Sequence, residues 1–218
     1  MNPIEIKNFF CLSILFLIVA VLSACGTVPQ QTTGFLTDYS KLSPSPYAEA
    51  LKGTTLLYEN KRNPLKNYDK FILSPVQIRL SKKGKERRVD RKKLLGLANY
   101  TNKQLRAELT KSGYTLVNQA GPGVILFRGA LTEVEPGIPL ANIHPATVIS
   151  GLGLGGASME WELQDSLTEE VIVAVIDSRK GGRGFDGFTK YGNAKDVIEK
   201  WAKIMALRFD RAHGKTRK

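Results

Sequence analysis

The chain has 218 residues, of which 42% are hydrophobic and 24% are charged, and its formal net charge is +12. This composition excludes a disordered or fibrous chain and is ordinary for a globular protein large enough to bury a core. The two cysteines are Cys11 and Cys25, so disulfides are excluded for everything after residue 25, and that part has to be stabilised by packing.

The first 24 residues have the pattern of a secretory signal peptide. Lys7 precedes an uncharged apolar run at positions 9–22, and small residues follow before Cys25. This run is short for a transmembrane helix, which needs about 20 residues. The closing Leu-Ser-Ala-Cys has the form of a bacterial lipobox, in which the cysteine thiol is diacylated, the peptide is cut before it, and the new amine can be acylated. We expect cleavage after residue 24 and lipidation of Cys25.

The residues after Cys25 predict where the anchor lies. Two or three acyl chains hold a protein far better than one. Gly26 is not the aspartate associated with inner-membrane retention, so we expect the cell outer membrane, with the domain facing the periplasm. Residues 25–50 are predicted to be the lipidated N-terminus and a tether, but apolar side chains within 34–42 predict that this part docks on the domain.

Residues 51–212 are predicted to form a single periplasmic domain, followed by a basic tail at 213–218. Periodicity predicts helices at 90–112, capped by Asp90, and at 194–211. It predicts strands at 54–58, 68–80, 114–117, 124–134, 157–164 and 170–177. Pro75 within the second of these implies an edge or a bulge. The expected fold is α+β, with a mainly antiparallel or mixed sheet of about five strands and two helices packed on one face.

Motifs along the chain carry a resemblance to a known family. They lie, in order, at 34–42, 68–70, 74–76, 121–124, 130–136, 160–165, 168–170, 175–179 and 201–202. With the lipobox, they resemble an uncharacterised bacterial lipoprotein family, domain of unknown function 3313, over most of residues 34–210. The turn at 168–170 reads Thr-Glu-Glu where the family often has Thr-Gly-Glu, and residues 81–93 are unusually basic. The resemblance implies a cellular location and a fold, and it implies no particular activity.

Acidic residues cluster around the last predicted hairpin and are candidates for catalysis: Glu160, Glu162, Asp165, Glu169, Glu170 and Asp177. Glu160 and Glu162 share one strand face, about 7 Å apart by strand geometry, and two carboxylates can act as an acid and base pair. A solvated strand face explains them equally well. Asp177, at the end of the next strand, is predicted to form a structural ion pair with Arg179.

Other chemical motifs are weak. Residues 151–156 satisfy G-x-G-x-x-G, with Asp177 at a suitable distance, but a strand pattern follows where a dinucleotide site needs a helix, so we predict a loop. The only histidines are His144 and His213, and no thiol is available to bind a metal with them, so no metal site is expected. Neither histidine has a convincing catalytic partner, so no nucleophilic site is expected.

A basic run at 79–93 is the strongest predicted surface feature. Its cations are Arg79, Lys82, Lys83, Lys85, Arg87, Arg88, Arg91, Lys92 and Lys93. Only Glu86 and Asp90 oppose them, and each cation near an anionic lipid surface contributes about 1 kcal/mol. A solvated loop is the alternative interpretation. Nucleic-acid binding is not expected, because the run lacks aromatic residues for stacking and the predicted location is the cell envelope.

These observations predict a membrane-anchored envelope lipoprotein whose periplasmic domain is a non-enzymatic binding or interaction module. Its partner would be another envelope protein or an anionic envelope polymer, and no cofactor is expected besides the lipid on Cys25. One alternative is a hydrolase acting on envelope glycan or lipid through carboxylates near Glu160, Glu162 and Asp177. The other is a binder of anionic lipid surfaces that uses the run at 79–93.

Overall fold

The structure is a computed structural model that describes residues 32–45, 53–138, 153–181 and 189–215. The predicted signal peptide, Cys25 and residues 26–31 and 46–50 of the predicted tether lie outside these residues. His144 and the first two residues of the glycine-rich motif at 151–156 also lie outside them.

The described residues form one mixed sheet of eight strands. Seven follow the order β1-β2-β8-β7-β6-β3-β5, and β4 pairs with β6 beside β3. Their bounds are β1 Ser43–Pro44, β2 Gly53–Glu59, β3 Lys70–Leu73, β4 Gln77–Ile78, β5 Thr115–Leu116, β6 Val124–Glu135, β7 Gly156–Asp165 and β8 Val171–Lys180. The α+β class is confirmed, and the expected number of about five strands is too low.

The sheet combines antiparallel and parallel pairs. Strands β2, β8, β7 and β6 are antiparallel neighbours, whereas β3 and β4 both run parallel to β6. The strand predicted at 68–80 is therefore two short strands. Pro75 lies between them, and since proline has no N–H to donate to a ladder, the pairing stops there. Two-residue strands such as β1 are too short to show a periodic pattern.

Within the described residues, three α-helices accompany the sheet: α1 Lys82–Glu86, α2 Arg91–Lys111 and α3 Gly192–Ala212. The two long helices are those predicted from periodicity, and α1 is additional. The Ser81 hydroxyl caps α1 by accepting the Gly84 N–H at 3.0 Å. The Asp90 carboxylate caps α2 as predicted, accepting the N–H groups of Lys92 and Lys93 at 2.9 and 3.2 Å.

The main hydrophobic core lies between the two long helices and one face of the sheet. Strand β7 turns Met159, Trp161 and Leu163 toward the helices, as its alternation predicts. Phe71 and Phe209 meet edge to face, with ring centroids 4.6 Å apart. Burial of these large side chains supplies most of the driving force for packing the helices on the sheet.

The opposite face of the sheet is covered by residues 33–42, which we call the strap. Phe35 and Leu36 are buried there against Ala130, Ala174 and Ile176, in a second and smaller core. The predicted docking of residues 34–42 is thus observed. The strap continues into β1, which pairs with β2 and so ties the N-terminal part of the described chain to the sheet edge.

The two ends of the sheet differ. At one end β6 and β8 finish and β7 begins, with Gly156 paired to Glu135 and Lys180; we call this the α1 end, because α1 packs beside the last residues of β6. At the other, the β5 end, β7 turns into β8. Both long helices start at the α1 end: α2 follows α1 directly, and the Lys190 carbonyl just before α3 accepts the Gly137 N–H at 2.8 Å.

Candidate functional site

The carboxylates of Glu160 and Glu162 lie beneath the strap and are both 0% exposed. The interpretation of this strand face as solvated is therefore wrong. An alternating pattern indicates that one face of the strand is polar. It does not indicate whether a segment distant in sequence covers that face. The covering residues are more than 120 positions away in the sequence.

Two threonines of the strap bind the two carboxylates in the same way. The backbone N–H and the hydroxyl of Thr33 each donate to Glu160 at 2.9 Å. Four residues later, the backbone N–H and the hydroxyl of Thr37 each donate to Glu162 at 3.0 Å. The Tyr39 hydroxyl adds a third donor to Glu160 at 2.6 Å. Burial, and then this hydrogen bond, raise the pKa of Tyr39, which keeps its hydroxyl protonated as a donor.

Glu162 also has a cationic partner. The Arg128 guanidinium donates to its carboxylate at 2.5 Å, and the Gln164 amide donates at 2.8 Å. The Arg128 guanidinium lies 5.4 Å from the centre of the Phe35 ring, so the strap also covers this cation. Every oxygen of Glu160 and Glu162 therefore accepts at least one hydrogen bond, which is what a buried carboxylate requires.

Asp177 is separate from the two glutamates because it faces the helices. It forms the predicted ion pair with Arg179, whose Nε and Nη2 donate at 2.7 and 2.6 Å, and it accepts the Thr55 hydroxyl at 3.2 Å. The small cavity beside it has a volume of about 20 Å³, which is room for one water molecule. The structure therefore does not bring the three predicted catalytic carboxylates into one site.

A further polar cluster holds the turn between β7 and β8. Asp165 accepts the N–H groups of Leu167 and Thr168 and the hydroxyl of Tyr68, each at 2.9 Å. Burial acts to raise the pKa of Asp165, but these hydrogen bonds together hold it below its ordinary value. Burial, and then the bond to Asp165, raise the pKa of Tyr68 to about 12. Within the described ranges, no group of three or more His, Cys, Asp or Glu side chains could hold a metal ion.

The basic run at 79–93 forms a helix, a turn and the start of a second helix, all at the α1 end. Arg87 bridges Glu133 and Glu135 at 3.0 and 3.3 Å. Lys83 also contacts Glu133, at 3.6 Å, and Lys180 pairs with Glu135. The interpretation of the run as a loop is thus corrected. Part of its charge is neutralised by glutamates of β6, which are distant in sequence.

The rest of the run is exposed. Arg79 donates to the Gln77 side chain at 3.1 Å. Within the part of the chain that the structure describes, six of the cations have no acidic partner: Lys82, Lys85, Arg88, Arg91, Lys92 and Lys93. Arg88 has a φ of +49°, a left-handed conformation that costs a non-glycine residue about 1 kcal/mol. It makes the sharp turn that brings α1 and the first turn of α2 together.

An open apolar groove of about 670 Å³ lies near the β5 end, between the second half of α3 and residues 59–65. Its floor includes Ile172, Leu65 and Leu207, and its rim carries Lys61, Arg208 and Arg211. Arg208 pairs with Glu59 at 2.8 Å. Sequence reasoning missed this groove, because the only signal was the apolar stripe of the last helix, and residues 59–65 have no periodic pattern.

Among the described residues, no helix is both long enough and apolar enough to cross a membrane. Residues 31–205 match the model of a family described as protein of unknown function, DUF3313. The chain is 28% identical over 198 residues to the uncharacterized lipoprotein YdcL of Escherichia coli strain K12, covering 83% of this chain and 87% of YdcL. YdcL of Escherichia coli O157:H7 gives the same values.

Two solved structures are similar at lower identity. A PelC dodecamer from Paraburkholderia phytofirmans is 14% identical, with a TM-score of 0.44, covering 72% of this chain and 97% of that one. A DUF4136 family protein from Bacteroides thetaiotaomicron is 12% identical, with a TM-score of 0.38, covering 74% of this chain and 97% of that one.

Proposed function

The chain belongs to the DUF3313 family, as its motifs predicted, and from this membership we propose that it is a lipid-anchored envelope lipoprotein whose domain is a non-enzymatic protein-binding module. The anchor is the diacylglycerol and N-acyl lipid on Cys25, held in the outer membrane, and the domain faces the periplasm. The similarity to a lipoprotein supports the anchor, and the groove beside α3 carries the proposal of binding.

The composition of the groove indicates what kind of segment it binds. Its lining combines an apolar floor with a rim of three cations and one acid, Glu59, which pairs with Arg208. For Lys61 and Arg211 no acidic partner is present among the described residues. The occupant is a segment of another envelope protein that has apolar side chains flanked by Asp or Glu. Apolar contact supplies affinity for such a segment, and charge complementarity fixes its orientation.

The same contacts that bury the glutamates weigh against the hydrolase alternative. A general acid or base has to reach the substrate, whereas Glu160 and Glu162 are bound by the strap and Asp177 faces the other side of the sheet. A hydrolase would require the strap to leave. The matching test is turnover of envelope glycan or lipid by the parent protein and by folded Glu160→Gln and Glu162→Gln variants.

The binding proposal is tested by photocrosslinking in the envelope of the cells that make the lipidated protein. A photocrosslinking amino acid replaces Leu207 in the groove or, as a matched control, the exposed Leu95 of α2. We expect a crosslink from position 207 to one envelope protein, within a peptide that contains acidic and apolar residues. The same crosslink should be weakened by Arg211→Glu and by Cys25→Ser, which removes the anchor.

Three outcomes would contradict the proposal. Crosslinks from position 207 to lipid alone would identify the groove as a lipid site. Equal labelling from positions 207 and 95 would show that contact is not specific to the groove. Turnover of an envelope polymer that is lost in the two Glu→Gln variants would favour the hydrolase.

A further inference from the structure

The exposed cations of the basic run lie at the end of the domain toward which the upstream end of the strap points. We propose that the α1 end lies against the anionic headgroups of the membrane that holds the anchor, so that the domain has a fixed orientation on that surface. This inference rests on the proposed lipidation of Cys25. It adds which surface of the domain contacts the membrane.

The direction of the strap is the first argument. Thr33 binds Glu160 and Thr37 binds Glu162, so the strap runs in the same direction as β7. Its upstream end therefore points along β7 toward Gly156, which is the α1 end of the sheet. From Thr33 onward, the strap therefore runs away from the α1 end.

The length of the connection is the second argument. Eight residues lead from Cys25 to Thr33, so the two are separated by at most about 28 Å. The strand from Glu160 to Gly156 takes up about 13 Å, which leaves at most about 15 Å beyond the end of the sheet. This upper limit is about two Debye lengths at physiological salt. The connection is therefore short enough to hold the α1 end near the membrane, and it lets this end approach within one Debye length, where charges are less screened.

Charge is the third argument. The six cations of the run for which the described residues offer no acidic partner lie on α1, at Arg88 and in the first turn of α2, and the acidic residues among them are Glu86 and Asp90. Asp90 already accepts two backbone N–H groups as the cap of α2. The β5 end also carries cations, among them Lys61, Arg62 and Lys66, but acidic side chains lie among them, namely Asp69, Asp165, Glu169 and Glu170. An anionic surface therefore favours the α1 end.

The orientation also places the apolar groove. The groove lies near the β5 end, where α3 finishes and β8 begins. With the α1 end on the membrane, the groove faces away from the headgroups and is accessible to proteins in the periplasm. The α1 end thus contacts the membrane and the groove binds protein, so loss of either contact can be measured independently of the other.

The test measures which end of the lipidated protein is near the membrane. The mature chain has Cys25, which is acylated, so a cysteine introduced by Leu95→Cys or Leu167→Cys provides a unique thiol for a donor fluorophore. Both leucines are exposed, at 47% and 59%, and they lie near opposite ends of a sheet whose strand β7 is about 33 Å long. Energy transfer to a headgroup-labelled lipid is measured in vesicles of phosphatidylcholine with or without phosphatidylglycerol.

We expect stronger transfer from position 95 than from position 167 when phosphatidylglycerol is present. The triple variant Lys82→Glu, Lys85→Glu, Arg88→Glu should abolish this difference, since it weakens contact with the anionic surface by a factor on the order of 100. The matched control Arg62→Glu, Lys66→Glu, Lys111→Glu changes exposed cations near the other end of the sheet and should retain the difference.

Equal transfer from both positions, or a difference that persists in the first triple variant, would overturn the proposal. Loss of binding to a soluble anionic envelope polymer in that variant, with the transfer difference intact, would assign the cations to a polymer and would also overturn it. Failure of the lipidated protein to float with vesicles would contradict the anchor itself. Loss of the crosslink from position 207 with normal transfer would contradict only the binding groove.

Discussion

Single side chains hold the turns and the covered sheet face of this protein mainly through hydrogen bonds to carboxylates. Glu162 has a cation beside it, whereas all three of the donors described for Glu160 are neutral: the N–H and hydroxyl of Thr33 and the hydroxyl of Tyr39. A buried carboxylate that lost such donors would keep its desolvation cost without compensation. The strap and the sheet therefore stabilise each other through these residues.

The Tyr68 hydroxyl provides a pH-dependent prediction. The pKa of Asp165 is lowered in the fold, so its ionised form stabilises the fold at pH values above 3.8, the ordinary pKa of an aspartate. This contribution to stability is lost as the pH falls through the pKa of Asp165 in the folded protein. Tyr68→Phe removes one donor, so we expect the pKa of Asp165 to rise. The free energy of unfolding should fall by about 1 kcal/mol at neutral pH, and by less at about pH 2.

Urea unfolding at both pH values and NMR titration of the Asp165 carboxyl measure this effect. Tyr58→Phe is the control, because no hydrogen bond of the Tyr58 hydroxyl occurs within the described part of the chain. An equal loss of stability at the two pH values would contradict the role given to the ionised carboxylate.

At the scale of elements, α1 depends on a close approach of two backbones. A Cβ atom at Gly84 would lie 2.3 Å from the Thr132 carbonyl oxygen of β6, so only glycine allows α1 to lie where it does. This contact places Lys83 and Arg87 beside Glu133. The position of the basic surface is therefore set by one small residue.

Gly84→Ala should lower the free energy of unfolding by about 1–3 kcal/mol, because the backbone of β6 cannot move aside. Gly96→Ala is the matched substitution in α2, where nothing lies within 4 Å of the added Cβ. It should raise stability by up to about 1 kcal/mol through helix propensity. Urea unfolding of both variants provides the comparison, and a Gly84→Ala protein as stable as its parent would refute this account of α1.

At the scale of the whole molecule, a net charge of +12 is concentrated in part at the α1 end. Like charges held this close repel one another, and salt screens that repulsion. The cations proposed to contact the membrane therefore destabilise the free domain slightly. Residues that serve function commonly lower the stability of the folded protein in this way.

The triple variant Lys82→Glu, Lys85→Glu, Arg88→Glu should consequently be at least as stable as the parent at low salt. Thermal unfolding is measured at ionic strengths of about 0.01 M and about 1 M, where the Debye length is about 30 Å and about 3 Å. The parent should gain more stability from salt than the variant does. A variant that is less stable than the parent at low salt would show that these cations have structural partners.

Local patterns in the sequence were sufficient to predict both long helices, the Asp90 cap and the apolar face of β7. They also predicted the docking of residues 34–42 and the ion pair of Asp177 with Arg179. The helices, the cap, the apolar face and the ion pair depend on periodicity or on neighbours within three residues, and the docking was indicated by apolar side chains in an otherwise polar segment, so a single sequence contains the necessary information. The family membership followed from collinear motifs in the same way, and lipidation of Cys25 stays a prediction from the lipobox.

Only the tertiary structure decided which polar residues are buried and which charges meet. The alternation of β7 is the same whether Glu160 faces water or the strap, and the strap comes from a segment 127 residues away. Likewise, Glu133 and Glu135 are far in sequence from the cations they neutralise. Local patterns determine which faces an element has, whereas long-range packing determines what covers each face and therefore where the surfaces available for binding lie.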